Sequence, residues 1–204
     1  MSWYHWTLLS AFFVFLICSG WQLFQIIRRR TRDYSPPRGK RVNALIYAFT
    51  TAMLPLNKES ASHHLPSYVA GIIFHLGTFV GFFWLIIHFF SIPVMKETRS
   101  ASIMLLIVAS IFGLILFVKR LFNVNLRAIS QPDDYFSNLL VTAFQIVSAA
   151  ALCYPWLIRW LFLCAALVFL YMPISKLQHA LYFFSTRIFL SQFFGKRGVW
   201  QFRR

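Results

Sequence analysis

The apolar positions of this chain come in long unbroken runs, and the polar ones gather in short basic gaps between them. One run, Ala70 to Phe90, reads AGIIFHLGTFVGFFWLIIHFF and is interrupted by two titratable side chains, His75 and His88. A hydrocarbon layer of about 30 Å takes roughly 20 helical residues at about 1.5 Å each. Five segments meet that length, at about 7 to 27, 67 to 91, 101 to 118, 136 to 154 and 157 to 179. Backbone groups in lipid must bond to one another, and these runs exceed the length of a barrel strand. The pattern therefore predicts an all-α fold, a five-span transmembrane helical bundle forming a single membrane domain over residues 1 to 204.

The gaps predict the orientation. RRRTR and PPRGKR follow the first run, Lys119, Arg120 and Arg127 follow the third, and Lys196, Arg197, Arg203 and Arg204 end the chain, whereas the alternate gaps hold Lys96, Arg99 and Arg159. Basic residues stay on the cytoplasmic side, which puts the N-terminus outside and the C-terminus in the cytoplasm. The first run has its positive charges behind it and lacks a basic leader, so an uncleaved first span is expected. Between the first two spans, RVNALIYAFTTAML predicts an interfacial amphipathic helix over about 41 to 54, closed by Pro55. Residues from about 180 to 204 form an apolar, basic tail expected at the interface.

Composition sharpens this reading. Hydrophobic residues make up 59% of the 204 and charged ones 12%, which is the balance of a membrane protein. Lys and Arg outnumber Asp and Glu by 20 to 5. In a soluble chain that excess would suggest nucleic acid; here it follows the span boundaries, so nucleic acid is not an expected partner and membrane lipid is. Cys18, Cys153 and Cys164 lie scattered in apolar runs, without a CxxC or CxxCH arrangement, and read as small hydrophobes. No nucleotide loop, zinc motif or nucleophile constellation occurs, so any enzymatic activity belongs to a complex in which this chain has no catalytic domain of its own.

The histidines are the candidate chemistry. An imidazole within hydrocarbon needs a hydrogen bond, a cavity or a metal. His75 lies about eight residues into the second span, roughly 12 Å deep, and His179 falls at the cytoplasmic end of the fifth, where Pro173 bends the chain. Two imidazoles from different helices in the same half of the bilayer meet the requirement of bis-histidine haem b binding. Gly77 and Gly81 either let a macrocycle approach or let helices pack closely.

IIFHLG around His75, the loop VKRLFNVNLRAISQPDD, and PISKLQHALYFFSTRIFL around His179 resemble the gamma subunit of respiratory nitrate reductases and related cytochrome b subunits of heterodisulfide-reductase-like and sulfite-reductase-linked complexes. The resemblance runs from about Ser67 to the C-terminus. It implies a b-type cytochrome of the inner (cytoplasmic) membrane, in a hetero-oligomeric complex, passing electrons between the quinone pool and a cytoplasmic iron-sulfur subunit. His75 and His179 match the ligands of the haem nearer the cytoplasm. The positions matching the ligands of the second, outer haem are Leu85 and Leu161, which implies one haem here.

Several lesser expectations follow. His88 with His5 is the alternative outer ligand pair, although thirteen residues rotate His88 by about 220° from His75; an interfacial His88 is the simpler reading. Lys119, Arg120 and Arg127 are candidate partners of haem propionates, though topology alone also accounts for them. In the resembling subunit a Lys between spans two and three is associated with quinol, making Lys96 the candidate quinone contact beside His88 and Glu97. His63 and His64 are expected to be solvated. The competing function is a haem-free membrane anchor or small transporter subunit, with structural histidines; the absence of carboxylates inside the spans disfavours proton coupling.

Overall fold

The computed structural model describes residues 2–29, 34–54 and 63–200. Among these, every regular element is helical. The α-helices in chain order are α1 (Trp3–Arg28), α2 (Arg41–Phe49), α3 (Leu65–Phe90), α4 (Lys96–Phe122), α5 (Val124–Ala128), α6 (Pro132–Cys153), α7 (Ile158–Tyr171) and α8 (His179–Lys196). Short 3-10 turns occupy Thr51–Met53, Pro155–Leu157, Met172–Ile174 and Lys176–Gln178. Among the described residues, five segments are long and apolar enough to cross a membrane: α1, α3, α4, α6 and the stretch Pro155–Ile174 that contains α7. The protein is thus a multi-pass, all-α membrane protein in architecture.

Local chemistry explains the boundaries. α6 starts at QPDD because Pro132 needs no N–H partner in a first turn, and because the Asp134 carboxylate accepts the Gln131 backbone N–H at 2.8 Å. α4 carries Glu97 in its first turn and Lys119 and Arg120 in its last, each complementing the helix dipole. It therefore outruns the expected 101 to 118 at both ends. α3 ends in a left-handed residue, Ser91, with φ of 54°; the Ile92 N–H then returns to the Ile87 carbonyl at 3.0 Å.

The fifth span departs from expectation. Its α-helix stops at Tyr171, Pro173 falls in a 3-10 turn, and a second turn precedes α8. Pro173 has no N–H to give to a helical ladder, so it ends this helix. His179 accordingly opens α8, where the sequence had suggested the end of span five. The helix expected over 41 to 54 is present as α2 and a 3-10 turn, while Pro55 lies outside the described residues, as do Arg30, Arg32, Arg203 and Arg204.

The chain divides into two compact units, Met1–Ile17 with Pro66–Leu177, and Cys18–Leu65 with Gln178–Arg204. In the first, Leu8, Ala11, Leu85, Phe144, Leu161, Phe162 and their neighbours form one apolar cluster, and Trp84, Ile87, Leu106, Ala149 and Leu152 form a second. Small residues let α3, α4 and α6 approach: a Cβ on Gly77 would stand 2.2 Å from that of Ala109, and one on Gly113 would stand 2.5 Å from the Thr142 hydroxyl. Packing of this kind replaces the hydrophobic drive that lipid removes.

In the second unit α2 lies against α8. Ala44 and Ala48 on one helix and Ser191 and Gly195 on the other are buried at four-residue spacing. A Cβ on Gly195 would meet the Ala44 methyl at 2.6 Å. The Lys196 carbonyl accepts the Arg38 N–H at 2.7 Å, and Arg187 donates to the Ala48 carbonyl at 3.3 Å.

Candidate functional site

His75 sits on α3 two residues before Gly77, about 200° around the helix from the glycine that packs on Ala109. That places its ring on an exposed face, with Ile72, Leu76 and Phe79 beside it, 43%, 48% and 65% exposed. Its immediate aromatic neighbour is Phe74, at 6.1 Å between centroids. His179 is exposed at the first position of α8, in the second unit. Each of the two histidines is therefore exposed, within its own unit. His63 and His64 form an exposed turn before α3.

The glycines near His75 serve helix packing. Besides Gly77, Gly81 faces the Phe144 ring, to which an added Cβ would come within 2.7 Å. Between them Gln145, wholly buried, donates from Nε2 to the Phe74 carbonyl at 2.7 Å and to the Thr78 hydroxyl at 2.9 Å. Leu85 and Leu161 are buried in the same apolar cluster, 5% and 0% exposed. Packed hydrocarbon surrounds Leu85 and Leu161, the two positions that the resemblance would give to outer haem ligands.

His5 and His88 engage different neighbours. The His5 ring stacks on Tyr4 at 4.7 Å and meets Phe162 edge-on at 5.0 Å, and its Nδ1 accepts the Ser2 N–H at 3.2 Å. His88 lies by Trp84 at 5.8 Å, on the side of α3 that carries the second cluster, with Arg99 acting on it electrostatically. Its Nε2 and the Trp84 Nε1 are both buried and have no hydrogen-bond partner among the described residues. Arg99 reaches across to donate to the Leu152 carbonyl. Lys96 is the exposed first residue of α4.

The basic candidates separate by partner. Arg120 pairs with Asp134 at 2.9 Å, and Lys119 donates to the Ser67 hydroxyl. Arg127 is exposed on the short α5, whose start is capped by Asn123 accepting the Leu126 N–H at 3.0 Å. Among the described residues no three His, Cys, Asp or Glu side chains converge on a metal position; a bis-histidine haem takes two.

No family model, curated protein or solved structure matches this chain. Its own geometry adds a feature that the spacing of histidines did not reveal. Asp134 also takes Lys176 Nζ at 2.6 Å, while Asp133 accepts the Tyr171 hydroxyl, the Lys176 N–H at 2.6 Å and the Ser137 hydroxyl at 3.2 Å. Two adjacent acids thus tie together the end of α4, the start of α6 and the end of α7. The signal was present in QPDD: two of five acids in the chain stand side by side, within one of the basic gaps.

Proposed function

We propose that this chain is a b-type cytochrome subunit of a hetero-oligomeric redox complex in the inner membrane. It passes electrons between membrane quinone and a cytoplasmic iron-sulfur subunit. The observation that carries the reading is the exposed imidazole of His75 on an apolar face of a membrane-length helix, at the position that the motif resemblance assigns to an axial ligand. The motif resemblance around His75 and His179 supports the same pair as axial ligands. When bound, haem b supplies the one-electron couple; the two histidines would hold its iron, and of the basic candidates Lys119, Arg120 and Arg127 for its propionates, Arg120 already pairs with Asp134. The buried leucines at 85 and 161 support one haem over two. Lys96 is proposed as the quinone contact. N-terminus outside and C-terminus in the cytoplasm is the orientation that the basic gaps support.

A haem-free anchor is the second reading, favoured by Gly77 and Gly81 being committed to helix contact. An absorption spectrum of the dithionite-reduced, purified protein separates the two. The proposal expects sharp b-type bands, about one haem per polypeptide, and loss of those bands in His75→Ala and His179→Ala but not in His63→Ala. A featureless reduced spectrum of protein expressed with haem supplied, or bands that survive both substitutions, overturns it.

A further inference from the structure

Within the second unit, the C-terminal part of α1 and α8 border an open groove of about 480 Å³. This volume lies within the range of small-molecule sites, about 300–1,000 Å³. Leu23, Ile26 and Ile27 form one wall, and Ile188 and Phe189 the other. Tyr182, Ser185 and Thr186 also line it; the Ser185 and Thr186 hydroxyls donate to the Leu181 and Tyr182 carbonyls at 2.9 and 2.6 Å, so that hydrocarbon is the main surface beside the Tyr182 ring. Arg29, exposed and immediately beyond the last residue of α1, is the charged member of the lining.

We infer that this groove holds an acyl chain of an anionic phospholipid whose phosphate pairs with Arg29. Charge complementarity selects this occupant. An apolar slot at the end of a membrane-length helix receives a hydrocarbon chain, and a guanidinium at its edge pairs with phosphate through two parallel N–H donors. Arg28, exposed and next to Arg29 in the chain, adds positive charge that favours a headgroup carrying net negative charge over a zwitterionic one. The inference is independent of haem, because every residue it uses lies outside the histidine positions.

The test uses the full chain, purified in mild detergent and reconstituted in nanodiscs of equal phosphatidylglycerol and phosphatidylcholine. Detergent exchange then leaves tightly held lipid, which mass spectrometry counts. Wild-type protein should retain phosphatidylglycerol in excess. Arg29→Gln, an exposed substitution that leaves the walls intact, should reduce that preference about fivefold. Ile26→Trp, which fills the groove, should lose the retained lipid of both kinds. Arg159→Gln, a basic residue that does not line the groove, serves as the control and should behave as wild type. The inference is overturned by equal retention of the two lipids, by equal losses in Arg29→Gln and Arg159→Gln, or by recovery of an isoprenoid quinone in place of phospholipid. Retention unchanged in Ile26→Trp overturns it as well.

Discussion

Two glycines on one helix meet opposite surroundings. A methyl on Gly77 would overlap that of Ala109, while one on Gly71 would meet nothing within 4 Å. Gly77→Ala must push α3 and α4 apart and should destabilise the protein by about 1–3 kcal/mol. Gly71→Ala removes backbone freedom from a helix interior at no steric expense and should be neutral or stabilising by up to about 1 kcal/mol. Unfolding in mixed detergent micelles, followed by circular dichroism, measures the difference. At this scale the sequence was legible only as a choice between two uses for Gly77 and Gly81. A glycine in an apolar run is the same letter whether it faces lipid, a ligand or another backbone. The partner that decides, Ala109, is far along the chain and carries no distinguishing chemistry of its own.

Elements were easier to read than their joints. The hydropathy runs located five spans because hydrocarbon length is a strict ruler, and α1, α3 and α6 start and stop within a few residues of expectation. Joints depend on pairings between distant residues, which a linear pattern does not encode. The ion pairs of Asp134 with Arg120 and Lys176 are the main case. Asp134→Asn keeps the shape but removes the charge from both links, and should lower stability by about 1–3 kcal/mol. Asp134→Ala adds the loss of the bond to the Gln131 N–H and should be worse. The α2 and α8 contact depends equally on long-range fit. Gly195→Leu forces a branched side chain against Ala44, so hydrogen exchange of the Arg41–Phe49 amides should quicken about tenfold or more. The rest of α8 should change little.

For the whole molecule, orientation is the property most open to a direct check. Cys153 is exposed at the end of α6, whereas Cys18 and Cys164 are partly buried. With the N-terminus outside, Cys153 faces the exterior, so a membrane-impermeant maleimide should label it in intact spheroplasts and Cys153→Ser should abolish that labelling. Modification only after the membrane is made leaky would reverse the orientation, and with it the side assigned to Lys96. The candidate haem ligands were legible as residues because imidazoles are rare in such runs. Their mutual arrangement was not, because Pro173 ends the helix on which His179 was expected.

The Asp133 and Asp134 links have a mechanical consequence. They fasten Tyr171 and Lys176 to the start of α6 at the point where the chain leaves α7. Load applied to the C-terminus by a cantilever meets these bonds before it can extract α7 from the bilayer. The force trace should therefore carry a distinct peak at the contour length of residues 176 to 204, and that peak should shrink in the double variant D133N/D134N.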